Sequence, residues 1–430
     1  MRLFLLALAF LATPAAAKLA PAEQKIVRTV EAEQPRSVAL LERLVNQNSG
    51  SLNLPGVEAV GQMMRSELEP LGFTVRWVPM AEVGRAGHIV ATHKGSGRGK
   101  RMLLIGHLDT VFEPDSPFQR FSLKDPGTAE GPGVGDDKGG MVVMVAALRA
   151  MKAAGTLKDA DIEIVLTGDE EDAGNPIEVA RRDLVAAAGR TDVALDFEGL
   201  AQEQGLDMGS IARRGSASWQ VTAKGRTGHS SGIFSASAGN GAVYELSRIL
   251  AAFRSELPEP NLTFNVGLVL GGATAELDKD LIRGTATGKT NIIPPIAIAR
   301  GDLRALSLDQ QQRVMAKMRE IVGRHLAGST AEIEFDDGAY PPMAPTEASR
   351  ALLARLNAVN RDLGLPVMGE FDPLKRGAGD IGFVAHLLPG LVGLGTAGQG
   401  AHAAGETVDL ASIPRQAKRA AILMSRLSRP

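Results

Sequence analysis

The 430-residue chain contains no cysteine. That excludes disulfides, a thiol nucleophile, thiolate metal ligands and a lipid-modified cysteine anchor, so any metal must be held by histidines and carboxylates. Charge of one sign is missing too. Lys and Arg number 47 against 49 Asp and Glu, a net charge of −2, and no basic run stands out. Nucleic acid and an anionic membrane are therefore poor partner candidates. No internal repeat or low-complexity segment is present. The apolar run at residues 3–12 is too short to span a bilayer. Arg2 precedes it and Ala15-Ala16-Ala17 closes it, the three-part pattern of a secretory signal peptide over 1–17, cleaved after Ala17. The expectation is a soluble protein in the periplasm or outside the cell.

With 44% hydrophobic and 22% charged residues, the remainder has the composition of a globular protein, long enough for two or three domains. Up to residue 210, strand patterns at 73–78, 88–92, 102–106, 162–167 and 193–197 alternate with helical ones at 38–45, 57–71 and 141–154. Such alternation predicts an α/β layer with a mainly parallel sheet. From about Ile211 the texture changes. SASWQVTAK at 216–224 alternates like a half-exposed antiparallel strand, and further strands are expected at 262–270, 296–303 and 331–335, with helices at 242–253 and 307–326. This reads as an α+β unit over 211–338, inserted between catalytic segments 18–210 and 339–430. The last segment adds helices at 347–363 and 413–427 and a strand at 391–394.

Chemistry-bearing residues cluster at strand ends. His107 and Asp109 follow MLLIG, Glu170 and Glu171 follow IEIVLT, Glu198 follows VALDF, and His402 follows the 391–394 strand. Ligands of open α/β sheets bind beyond the carboxyl ends of the strands. Asp136-Asp137 joins them from the glycine-rich turn GPGVGDDKGG, just before a helix. Each signal alone reads as ordinary polarity; the conjunction carries the argument. Carboxylates converging without basic partners repel one another, and a divalent cation removes that cost. A His and carboxylate set without sulfur suits zinc, with manganese or cobalt as alternatives, and five ligands suffice for two ions if one carboxylate bridges.

The motifs GHLDTV (106–111), GPGVGDDKGG (131–140), TGDEE (167–171), FEG (197–199), GHSSG (228–232), NIIPPIAIARGDLRA (291–305) and IPR (413–415) resemble those of the dizinc exopeptidases and amidohydrolases. That family includes glutamate carboxypeptidases, aminoacylases and succinyl-diaminopimelate desuccinylases, and the resemblance is strongest to the first. It implies a zinc-exopeptidase-like catalytic domain with an inserted lid and dimerisation domain. It also implies two zinc ions: His107 and Glu198 on one, Glu171 and His402 on the other, Asp136 bridging, with a cis peptide after it. Asp109 would orient His107, and Glu170 would act as general base. His229 would stabilise the oxyanion, often in the partner subunit's site of a homodimer, while Asn291 and Arg304 would contact a small peptide or N-acyl amino acid. Glutamate carboxypeptidases tend to carry another arginine just after the last lid strand. Here that stretch is Asp336-Asp337-Gly338-Ala339-Tyr340, which puts glutamate specificity in question.

Three decoys need an answer. GAGDIG at 377–382 and GLGTAG at 393–398 fit the dinucleotide fingerprint, but the first follows no strand, the second opens no helix, and neither has its acidic residue about 20 positions on. GHSSG contains G-x-S-x-G, and Ser230, Asp380 and His402 occur in α/β-hydrolase order. A nucleophile elbow needs strand, turn and helix in immediate succession, however, and here the helix begins about ten residues late. A member of the family that binds without catalysing is the remaining alternative.

Overall fold

The computed structural model describes residues 19–430 apart from Gly97 and Asp280; the expected signal peptide lies outside the described residues. The central sheet has the strand order Thr74–Pro79, Gly87–His93, Ile162–Thr167, Met102–His107, Val193–Asp196 and Gly390–Val392. Only Gly87–His93 opposes its neighbours; the other five strands share one direction. The three central strands are buried along their whole length, which is why they read as near-continuous apolar runs instead of alternating.

Successive side chains of these strands feed two cores. Leu104, Ile164 and Leu195 pack with Met141, Val145 and Ile422 on one face. Leu103, Ile105 and Val165 pack with Ile177, Leu184 and Val384 on the other, giving helices on both sides of the sheet. The Lys138–Ala154 helix, buried from Lys138 to Met151, crosses the first face. Its second glycine is required by close approach: a Cβ on Gly140 would collide with the Phe197 carbonyl and the Asp137 carboxylate, so this helix start can meet the Val193–Asp196 strand only with glycine there. The helix stops at Gly155, whose φ of 75° is the left-handed conformation that ends helices.

A four-stranded antiparallel sheet is built from the middle of the chain, in the order Thr263–Gly272, Ile296–Arg304, Ala217–Gly225 and Ser329–Phe335. Helices Gly241–Glu256 and Leu308–Val322 pack on it around a separate core of Trp219, Val221, Ile249, Phe253 and Met318. Trp219 meets Phe253 edge-on at 5.6 Å and donates its indole N–H to the Asp302 carbonyl. The chain enters and leaves this lid side by side, with bridges from Arg213 to Met343 and from Ser216 to Tyr340. The α/β class with an inserted lid is as expected.

Several features were not expected, two of them beside the catalytic sheet. The helix Pro21–Ala32 packs against the Lys138–Ala154 and Ser412–Leu427 helices. A small sheet joins Gly398–Gln399, Thr407–Asp409, Thr128–Glu130 and Ser122–Asp125, in strands too short to show periodicity. No helix among the described residues is long and apolar enough to cross a membrane.

Candidate metal centre

The shared strand direction delivers the ends of Met102–His107, Ile162–Thr167 and Val193–Asp196 to one edge. His107 is the last residue of its strand and is buried. Its Nδ1 faces the Asp109 backbone carbonyl at 3.1 Å and the Asp109 carboxylate at 3.4 Å. Its Nε2 faces Asp136 Oδ1 at 3.1 Å. From the opposite side His402 Nε2 lies 3.1 Å from Asp136 Oδ2 and 3.1 Å from Glu171 Oε2. One carboxylate therefore stands between two imidazoles, one on each oxygen.

Two three-residue groups result, His107–Asp136–Glu198 and Asp136–Glu171–His402, each with its donor atoms within 4.8 Å of one another. Donors on one tetrahedral ion with bonds of about 2.0–2.1 Å sit about 3.3 Å apart, so the 3.1 Å separations fit ligation. The donors also suit cations chemically. Without one, hydrogen bonds to Asp136 and Glu171 push His402 up to about 11. Burial opposes charge on His107, but hydrogen bonds to Asp109 and Asp136 hold it well above the usual histidine range. Burial raises Glu171, against the pull of His402. Such ligands have to give up protons to bind a metal ion, so binding at these groups is expected to depend on pH.

The surroundings fix these groups. Asp109 is fully buried and accepts the backbone N–H groups of Glu170 and Glu171, each at 3.0 Å, and the Ser51 hydroxyl at 2.6 Å. It thus orients the imidazole and the acidic loop together. The Asp136 turn is held by Glu406, whose carboxylate accepts N–H groups of Gly133, Gly135 and Asp136 at 3.0, 2.7 and 3.0 Å. The small sheet carries Glu406 and His402 to the turn, and the Asp136–Asp137 peptide is cis. Asp137 stands at the start of the following helix without a side-chain bond to it; burial keeps its carboxyl well above the ordinary range, and it belongs to neither ligand group. Glu170 lines a cavity of about 250 Å³ together with Asp136, Glu198 and His402. Burial, then repulsion from Glu198, raises its carboxyl well above the usual range.

The lid residues are not in this assembly. His229 pairs with Ile292 on a two-stranded ribbon and Asn291 directly precedes that strand, both exposed, and His229 Nδ1 accepts the Ser231 backbone N–H at 3.2 Å. Arg304 pairs with Asp302 at 2.9 Å. The serine relay is not assembled either: Asp380 accepts from Arg181 and Thr167, each at 2.6 Å, while His402 faces Asp136 and Glu171. Sequence reasoning also missed Arg213, Arg376, Glu406 and the buried Arg181–Tyr340 pair beside the acidic loop. Their partners lie far along the chain, and no local spacing marks them.

Residues 103–426 match the model of peptidase family M20/M25/M40. The chain belongs to that family. Its metal-dependent peptidase and amidohydrolase character follows, and the paired ligand groups fit it. Carboxypeptidase G2 from a Pseudomonas species (strain RS-16) is 28% identical over 402 residues, 91% of this chain and 89% of that protein. Among solved structures, aminopeptidase PepT from Bacillus cereus superposes with a TM-score of 0.72 at 18% identity, covering 92% of this chain and 99% of its own. A dinuclear metal binding peptidase of the M20 family from Bacillus subtilis gives 0.64 at 16%, covering 93% and 99%. These structural likenesses establish the shared fold.

Proposed function

We propose that the chain is an exported M20 hydrolase that cleaves an amide bond next to a free carboxylate, as a carboxypeptidase, dipeptidase or N-acyl-amino-acid amidohydrolase. The observation that carries the reading is Asp136 shared by two ligand groups, with Glu170 beside them and in neither. His107, Asp136 and Glu198 would hold one ion, and Asp136, Glu171 and His402 the other. Two divalent ions, zinc with manganese or cobalt as alternatives, supply Lewis acidity to the scissile carbonyl and to water when bound. Glu170 takes a proton from the attacking water and passes it to the leaving amine. It lines the cavity beside both groups without belonging to either, which leaves its carboxylate available for that proton. Asp109 holds Glu170 and Glu171 by their backbones and keeps His107 oriented.

The lid supplies the rest of this reading. Arg304 receives the free carboxylate as a planar fork, Asn291 contacts substrate, and His229 stabilises the oxyanion. All three sit apart from the ligand groups within one subunit, which favours a homodimer in which the partner's lid completes the site. The edge strand Thr263–Gly272 suits that contact, since it exposes Val266 and Val269 and, among the described residues, ends its sheet. Similarity to carboxypeptidase G2 supports the carboxylate-adjacent bond.

The test is hydrolysis of a panel of dipeptides and N-acyl amino acids by the mature protein before chelation, after it, and after zinc is returned. Loss and recovery are expected. Activity indifferent to chelation would return the assignment to Ser230, and inactivity with every metal would favour the binding-only alternative. Export is tested by the N-terminus of protein taken from outside the cytoplasm, expected at Lys18.

A further inference from the structure

Beside the Glu198 group lie two arginines that the proposed chemistry leaves unused. Arg376 follows the short Pro373–Lys375 turn. Its Nη2 donates to the Gly199 carbonyl at 2.6 Å, and its buried Nε has no acceptor. Arg213 enters from the base of the lid. Its Nε donates to the Gly377 carbonyl at 2.7 Å and its Nη2 to the Ala378 carbonyl, but its Nη1 is buried without an acceptor. Both side chains line the 250 Å³ cavity with Glu170, Glu198 and His402. Arg376 also lines an adjoining cavity of about 170 Å³ with Asp136, Glu198 and Thr396. Lys375, next in sequence, is engaged by Glu203 at the surface.

A buried guanidinium N–H without an acceptor is costly, and both of these belong to side chains that line one cavity, so a small turn of either guanidinium offers an arriving acceptor an unused donor. Glu198 Oε2 is 3.3 Å from Arg213 Nη1 and 3.9 Å from Arg376 Nη2. In the proposed function that carboxylate is committed to a cation, so two neighbouring guanidiniums lose part of their balancing charge. We propose that Arg376, backed by Arg213, forms an anion subsite beside the metal centre, and that the preferred substrate places a second carboxylate there. That carboxylate belongs to an acidic side chain or a dicarboxylic acyl group. It is distinct from the free carboxylate assigned to Arg304 on the lid. The subsite restores a preference for acidic substrates by a route other than the arginine missing at Asp336–Tyr340. Its substrate rests on the hydrolase reading; its affinity for a carboxylate needs the metal-loaded centre but no cleavage of an amide.

Two isosteric pairs test it: N-acetylglutamate against N-acetylglutamine, and N-succinylalanine against N-butyrylalanine. The metal-loaded protein is expected to favour the charged member of one pair by tenfold or more in kcat/KM, and that pair identifies where the carboxylate sits. Arg376→Gln lowers kcat/KM for the charged member about 30- to 100-fold, chiefly through KM, and for its neutral partner several-fold less. Arg376→Lys recovers part of the loss. No charge preference in either pair, or equal losses on both members, would overturn the subsite. A calorimetric titration with glutarate against butyrate reads the subsite without catalysis. Weakening of glutarate alone, tenfold or more in Arg376→Gln, supports it even if no amide is cleaved, which separates its fate from that of the hydrolase reading. Glutarate affinity unchanged by the substitution would overturn it.

Discussion

Tyr340 donates its hydroxyl to the backbone carbonyl of Glu170 at 2.7 Å. The Tyr340 hydroxyl oxygen in turn accepts from Arg181 Nη2 at 2.8 Å, while Arg181 also donates to Asp169 at 2.7 Å and to Asp380. Tyr340 leaves the lid on the returning chain, so the linker itself grips the acidic loop. Tyr340→Phe leaves a buried N–H and a carbonyl without their partner, at a cost of about 1–3 kcal/mol. The expected result is a lower thermal midpoint and a kcat reduced about tenfold with KM little changed. Unchanged kcat would show that Asp109 alone positions Glu170.

Asp136 belongs to both ligand groups, whereas His107 and His402 each belong to one. Metal content by elemental analysis should therefore fall differently in three variants. Asp136→Ala is expected to lose both ions, and His107→Ala and His402→Ala to lose one each. Two ions retained in Asp136→Ala would remove it as the shared ligand. In the unsubstituted protein, stripping the metals exposes the mutual repulsion of Glu170, Glu171 and Glu198, so the thermal midpoint drops and recovers with zinc. Saturation at about 100 times Kd contributes about 2.7 kcal/mol for one site.

The parts of this centre that could be read in the sequence were those attached to strong local patterns. His107 ends a buried apolar strand, Glu171 and Glu198 follow shortly after two others, and Asp136 sits in a glycine-rich turn opening a helix. The family motifs added roles that position alone could not. Glu406 escaped notice because its partners, Gly133 to Asp136, lie some 270 residues earlier. Arg213 and Arg376 escaped because a charged residue in a loop reads as surface until the fold buries it. His229 was legible as a motif, yet its exposure on the lid ribbon shows that a motif identifies a residue type without fixing what it faces.

Glu23 ties the first helix to the last: Arg426 donates to it at 2.8 and 3.2 Å and also to Asp362 at 2.6 Å. Burial opposes the Glu23 charge, but these bonds and the Ala20 N–H bring its pKa below 4.5. A depressed carboxylate stabilises the fold above its unfolded pKa, and that contribution is lost as pH falls from about 4.5 through the lower folded value. Arg426→Ala is expected to cost about 1–2 kcal/mol near neutral pH and progressively less below pH 4.5. Denaturant titrations of both proteins across this range check it; a difference independent of pH would assign the loss to packing.

The edge of the lid sheet tests assembly. Val269 is 54% exposed on the Thr263–Gly272 strand, and a charge there opposes strand-to-strand association. Val269→Lys is expected to shift sedimentation from dimer to monomer and to lower kcat/KM strongly, because His229 then has no neighbouring site to complete. A monomeric variant with full activity would place His229 within its own subunit's reach.

Glu170→Gln asks whether the base is separable from the metal ligands. The substitution keeps the side-chain shape, and the contacts that hold this residue, with Asp109 and Tyr340, are made by its backbone. Metal content is therefore expected to stay as in the unsubstituted protein, since Glu170 belongs to neither group. What is lost is the capacity to accept a proton, which lowers kcat by about 10²- to 10⁴-fold. Substrate affinity, measured by displacement of a slowly cleaved analogue, should change little. Loss of metal together with activity would make Glu170 a ligand instead of a base. Near-normal turnover with metal retained would remove Glu170 as the base.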